Sequence, residues 1–210
     1  MSDGRKVRLI GVNTPELGRD GRPNEPYAQA ARGWLRQYAD RQQVHLLPGV
    51  EPRDRYGRLL AHLYLPDGRL AAEELVRSGL GFALAVGRNN GLADCLFAAE
   101  SETRLKRERL WRQSPIAAAD VSRAGFAVVR GRVTRMTATR RGLYVDLDDH
   151  LALFLPQVLA NEVRGQNWRK GQFLEARGWV IDRLRRQGRL SVGQQRWLLK
   201  VTQKYHLQSH

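Results

Sequence analysis

The chain reads as an α+β domain followed by a second, small all-β domain, and three observations carry that reading. Up to about Trp111, apolar runs of strand length alternate with longer apolar patterns of helical period. A polar, proline-bearing break, Arg112-Gln113-Ser114-Pro115-Ile116, then leads into an alanine run. From Ala124 onward only short β-prone stretches occur, separated by charged or glycine-bearing turns. At 210 residues the chain is long enough for two small cores. The expected division is 1–112, a linker over 113–123, and a basic domain over 124–210.

Each element has a local cause. Ser2-Asp3-Gly4-Arg5 reads as a hairpin turn entering a strand that runs to Val12 and is aliphatic apart from Arg8. That strand stops at the polar turn Asn13-Thr14-Pro15-Glu16, whose proline cannot continue a ladder. A helix is expected from Glu25 to Tyr38, a strand at Val44 to Leu47, and a turn at Asp54-Arg55-Tyr56-Gly57-Arg58 opening the strand Leu59 to Leu65. The turn Pro66-Asp67-Gly68, a helix from Leu70 to Ser78 and a charged helix from Leu92 to Glu108 complete the first domain. In the second domain the strands are Phe126 to Thr134, Leu143 to Leu147, Leu151 to Leu155, Phe173 to Ile181 and Trp197 to Thr202. Five short strands with one interrupting polar segment, Pro156 to Trp168, predict a small closed barrel of the oligonucleotide-binding type.

The net charge of +15 points to a polyanionic partner, nucleic acid before anionic membrane. No apolar stretch approaches the length of a membrane span. From Val121 onward there are 17 Lys and Arg against 6 Asp and Glu, so this part carries +11 of the total. Non-specific affinity for a phosphate backbone rises with the number of basic groups that displace counterions, which makes the second domain the gripping half. Cys95 is the single cysteine, so neither an intramolecular disulfide nor a cysteine-based zinc site can form. Its apolar-periodic setting predicts a buried small hydrophobe. The five histidines show no paired helical spacing of the kind that holds zinc.

The chemistry-bearing feature is the pair of segments Val7-Arg8-Leu9-Ile10-Gly11-Val12-Asn13-Thr14-Pro15-Glu16 and Asp54-Arg55-Tyr56-Gly57-Arg58. Arginine at a strand rim offers a planar fork matched to phosphate oxygens, and a nearby glutamate can take a proton from water. An arginine inside an apolar strand can also simply pair with a structural carboxylate, Glu16 among them. Asp54, opening a tight turn, is expected to satisfy backbone donors.

These two segments, with the order of elements around them from about Lys6 to Trp111, resemble the staphylococcal nuclease (thermonuclease) family. The resemblance implies a five-stranded barrel with three helices, incomplete here at its N-terminus. It assigns Arg8 and Arg58 to the scissile phosphate, Glu16 to the attacking water, and Asn13 with the Thr14 carbonyl to a calcium ion. A hard divalent ion prefers oxygen ligands, and two cationic forks neutralise charge developing on the phosphoryl oxygens.

Three departures qualify this. Asn13 stands where the family has a metal-binding aspartate, offering a neutral carbonyl oxygen for a carboxylate. The family's first metal aspartate, in an upstream Asp-Gly-Asp-Thr hairpin, has no counterpart in Met1 to Lys6. The expectation is a longer natural form supplying it together with the leading strands, and a periplasmic or secreted protein if that extension carries a signal peptide. The family's base-stacking tyrosines are replaced by Gly81-Phe82-Ala83-Leu84-Ala85-Val86-Gly87, with Phe82 out of register. Stacking is expected instead from Tyr144, Trp168, Trp179 or Trp197 in the basic domain, each with a place in the barrel core as its alternative. The run Arg183-Leu184-Arg185-Arg186-Gln187-Gly188-Arg189 is read as tracking a phosphate backbone, Arg183, Arg185 and Arg186 above all, with an ordinary solvated loop as its alternative. The function expected is weak calcium-assisted phosphodiester hydrolysis of DNA or RNA. The alternative is a nucleic-acid-binding protein with a degenerate pocket, and a scaffold for acidic proteins ranks below both.

Overall fold

The structure, a computed structural model, describes residues 4–209. Ser2 and Asp3 of the expected entry turn lie outside the described residues. The chain divides into two compact units, Met1–Arg112 and Gln113–His210. Each has its own apolar core.

In the first unit, β1 (Val7–Leu9) runs parallel to β4 (Leu59–Tyr64), with Arg8 opposite Leu60. The short strand β2 (Val12–Asn13) follows the Ile10-Gly11 turn and pairs antiparallel with β5 (Phe82–Ala83). Gly11 sits at φ +87, and a Cβ there would come within 2.3 Å of Leu96 Cδ1, so glycine lets the last helix close on the strand turn. β3 (His45–Arg53) forms the other side of the order β1-β4-β3. It outruns the expected Val44–Leu47 despite Pro48 and Pro52, because it is an edge strand with a register shift between Pro48 and Arg53, where missing donors are tolerated.

Three helices back these strands. α1 (Ala28–Ala39) begins three residues later than expected, because Pro26 is followed by Tyr27 in the left-handed region at φ 66. α2 (Ala71–Arg77) and α3 (Ala93–Leu105) bring Leu75, Val76 and Leu96 onto Val12 and Ala83. α3 turns Ala93, Leu96, Ala99, Glu100 and Thr103 inward. Cys95 therefore falls on its outer face and is exposed and free, which corrects the expectation of a buried thiol. Phe82 packs edge-on to Trp111, with ring centroids 5.2 Å apart, so this ring belongs to the core.

In the second unit, residues 113–123, expected as a linker, include a short strand and two core positions. β6 (Ile116–Ala117) pairs parallel with β7 (Gly125–Thr139), and Ala118 and Val121 are buried in the core. β7 extends past the expected Thr134 because it bends. Its first half pairs with β10 (Phe173–Asp182), and after a register shift between Val133 and Arg135 its second half pairs with β8 (Gly142–Leu147). β8 pairs with β9 (Leu151–Pro156), β9 runs parallel to β11 (Trp197–Lys200), and β11 returns to β10. The ring β7-β8-β9-β11-β10-β7 is thus a closed five-stranded barrel, with α4 (Gln157–Glu162) between its third and fourth strands, an oligonucleotide-binding-type topology. α5 (Arg183–Gln187) follows β10, and β12 (Leu207–Ser209) pairs with β10 at Leu174–Ala176. Leu147, Leu151, Leu153, Leu155, Leu174 and Leu199 fill the interior.

Candidate functional site

The parallel pairing of β1 with β4 decides the geometry of the first unit. With Arg8 in register with Leu60, its side chain lies within electrostatic reach of Arg58, just ahead of β4. Arg8 is half-buried, and burial followed by the nearby Arg58 charge holds its pKa below the ordinary value, against the pull of Glu16 and Asp54. Its guanidinium donates to Asn13 Oδ1 at 3.0 Å. Two cations, Glu16, Asp54 and Asn13 therefore share one rim, although Arg8 and Arg58 are far apart in sequence.

Asp54 organises the second motif. Its Oδ1 accepts the backbone N–H groups of Tyr56 at 2.9 Å and Arg58 at 3.0 Å. Its Oδ2 takes Arg58 through Nε and Nη2, each at 2.6 Å. Burial works to raise this carboxyl, but the Arg58 and Tyr56 hydrogen bonds and the Arg58 charge hold it below the usual carboxylate range. A guanidinium has five N–H donors, so Arg58 keeps donors beyond those Asp54 engages. The Arg58 guanidinium also stands 5.6 Å from the Tyr56 ring centroid. Across the rim, the Asn13–Glu16 turn is braced by Glu25, which accepts the Glu16 N–H at 2.9 Å and donates its own N–H to Glu16 O at 3.0 Å. The Glu16 side chain itself is exposed to water.

For a divalent ion this rim offers the Asn13 amide oxygen, the Thr14 carbonyl and the Glu16 carboxylate. All are hard oxygen donors of the kind calcium accepts, and the Asn13 oxygen keeps a second lone pair beyond the one facing Arg8. Among the described residues there is no group of three or more His, Cys, Asp or Glu placed to hold a metal. The donors thus fit a hard cation in kind but are few, which makes any such ion weakly held and completed by water or phosphate oxygens.

The structure separates the base-contact candidates of the second unit. Trp197 is 4 % exposed and belongs to the barrel core, so it is not a stacking surface. Arg183 is equally buried, donating to Gln195 O at 3.3 Å with its guanidinium 5.4 Å from the Tyr144 ring centroid. It is not a backbone-tracking residue, because the β10–β11 connection folds over it; burial lowers its pKa. Arg185 and Arg186, on the outer turn of α5, are exposed. Trp179 is 43 % exposed and stands edge-on to Phe126 at 5.3 Å. Arg177, two residues earlier on the same strand face, is buried because the turn carrying His206 lies by it. Trp168 is half-buried and donates its ring N–H to Gln166 Oε1 at 3.0 Å. Phe154 was missed from sequence. It pairs with Tyr144 across β8 and β9 with ring centroids 4.8 Å apart, and Lys200 is its register partner on β11. The signal was there in the alternation: Leu143, Val145 and Leu147, and Leu151, Leu153 and Leu155, form the core-facing rows, which leaves Tyr144 and Phe154 paired on the opposite face.

A helix-backed sheet with paired arginines and oxygen donors on one rim defines the class of this first unit, an α+β domain. The profile of staphylococcal nuclease homologues matches residues 6–113, and the chain belongs to that family. It is 34 % identical over 106 residues to the thermonuclease of Staphylococcus intermedius, covering 50 % of this chain and 62 % of that protein. It is 29 % identical over 111 residues to the thermonuclease of Staphylococcus hyicus, covering 52 % and 65 %. To the probable endonuclease LCL3 of Komagataella phaffii it is 27 % identical over 111 residues, covering 50 % and 48 %. The matched part therefore spans less than two thirds of each of these relatives, and it corresponds to the first unit.

Proposed function

We propose that the chain hydrolyses phosphodiester bonds of DNA or RNA, with the first unit cleaving and the second gripping. The observation that carries this reading is the convergence of Arg8 and Arg58 beside an exposed Glu16, set by the parallel register of β1 and β4. In this mechanism Arg8 and Arg58 bind the non-bridging phosphoryl oxygens and neutralise charge developing on them. Glu16 takes a proton from water as its oxygen forms the bond to phosphorus. The bond from phosphorus to the leaving oxygen breaks, and that oxygen takes up a proton from solvent. Asn13 and the Thr14 carbonyl are the residues that would hold a calcium ion, which when bound supplies further charge neutralisation at the phosphate. Asp54 positions Arg58.

The second unit supports a nucleic-acid grip through its charge of +10, its exposed Arg185 and Arg186, and its outward Trp179. The neutral Asn13 and the short donor set favour one other reading, a binding protein whose pocket no longer cleaves. A cleavage assay on labelled DNA and RNA oligonucleotides, with calcium raised stepwise and then chelated, separates the two. Hydrolysis is expected to rise with calcium and to fall roughly 10²–10³-fold in Arg58→Ala and in Glu16→Ala. Binding without cleavage at any calcium level, or equal rates in both variants, assigns the binding role.

A further inference from the structure

A cleft of about 310 Å³ opens in the second unit beside α4 and the tip of the β7–β8 hairpin, remote in sequence from the Arg8 rim. Its volume lies at the lower end of the range for small-molecule sites, roughly 300–1,000 Å³. The apolar wall is Met136, Leu143 and Trp168, and the polar rim is Gln157, Asn161 and Arg164. Trp168 arrives pre-set, its ring packed against the barrel core and its N–H already bonded to Gln166. Gln157 and Asn161 stand one helical turn apart on α4 and are linked by a 2.9 Å bond from Nε2 to Oδ1. Between them they retain carboxamide donors and acceptors that the bond does not use.

We infer that this cleft is a mononucleotide-sized pocket that takes one unstacked nucleobase of a single strand. In it the base lies against Trp168, its edge is read by Gln157 and Asn161, and its phosphate is met by Arg164. Three features select that occupant. Carboxamides present the mixed donor and acceptor pattern that matches a base edge. An indole wall favours a flat heterocycle over an aliphatic ligand. The arginine at the rim, on a unit of charge +10, favours an anionic ligand over a neutral one. The inference draws its class of ligand from the proposed action on nucleic acid, but it concerns a separate set of residues.

The test uses the full chain carrying Arg8→Ala and Arg58→Ala, which removes the phosphate-binding arginines of the first unit. It is titrated with each of the four nucleoside 5′-monophosphates while the Trp168 ring N–H signal, assigned through Trp168→Phe, is followed by two-dimensional NMR. The expected result is a saturable shift of that signal for at least one nucleotide. Affinity, followed in the variants through the side-chain amide signals of Gln157 and Asn161 in the same spectra, is expected to weaken at least tenfold in Trp168→Ala and in Ala138→Glu, and to be retained in Trp168→Phe. Ala138 lines the cleft from an exposed strand position, so its carboxylate variant keeps the fold while filling the space and repelling phosphate. Leu105→Glu, an equal charge change at an exposed site of the first unit, is the control expected to bind as the parent does. An unmoved Trp168 signal with all four nucleotides, or parental affinity in Ala138→Glu, overturns the inference. Cleavage of polymer by the unsubstituted chain is read separately. Cleavage without a shift sinks the cleft alone, and a shift without cleavage sinks the proposed hydrolysis alone.

Discussion

Trp179 and Trp197 carry the same side chain on adjacent strands of one barrel, yet they lead to opposite predictions. Trp197 is sealed among core residues, so Trp197→Ala removes a large buried volume and is expected to cost about 3–5 kcal/mol of stability, read by denaturant unfolding. Trp179 is partly in water with Phe126 beside it, so Trp179→Ala should leave unfolding nearly unchanged. The same change should weaken single-strand binding by about 1–3 kcal/mol if the ring stacks on a base. A Trp179 variant that binds as the parent does would remove it from the interface. Asp54 has two roles in one carboxylate, closing the turn and holding Arg58. Its sequence position predicts the first role. The second becomes visible only once the guanidinium is placed.

The β7–β8 hairpin depends on a single backbone position. Gly142 has φ +147, and a Cβ there would lie 2.0 Å from the carbonyl oxygen of Leu155 on β9. A backbone atom in a paired strand cannot retreat as a flexible side chain does. Gly142→Ala is therefore expected to destabilise by about 1–3 kcal/mol and to loosen the β8–β9 ladder first. Hydrogen exchange on the N–H groups of Leu143 to Leu147 reads this, and exchange as slow as in the parent would contradict it. Element order was legible because helical and strand periods differ within a few residues. Element ends were less so. The late start of α1 follows from Tyr27 in the left-handed region, the length of β3 from its edge position, and the length of β7 from a bend that serves two partners.

Across the whole molecule, charge and acid response make two predictions. Each unit has its own core, so fragments 1–112 and 113–210 can be compared directly. The second is expected to hold a single-stranded oligonucleotide more tightly, with affinity falling steeply as salt rises. Equal and salt-insensitive binding by the two fragments would refute this. His206, buried and beside the Arg177 charge, has its pKa lowered from 6.5 to about 4. Between those values the unfolded chain binds a proton that the folded chain does not, so stability is whole above about pH 6.5 and is lost as the pH falls toward 4. The full effect is on the order of 3 kcal/mol. His206→Gln should flatten the stability curve in that window, as measured by urea unfolding at stepped pH.

The order of the longer elements, the division into two units, the uneven charge and the residue types at the candidate site are all legible in the chain alone. These are local or additive properties, readable from period, turn chemistry and counting. Tertiary structure decided which of those residues meet and which are hidden. Period-two alternation shows that neighbours face opposite sides of a strand, but not which side a distant element will cover. Arg183 and Trp197 are buried by the connection and strands that close the barrel, while Trp179, two residues beyond the buried Arg177 on the same strand, stays partly in water. Arg8 and Arg58 share one rim because a parallel ladder joins segments far apart in the chain, a pairing that nothing local to either segment specifies.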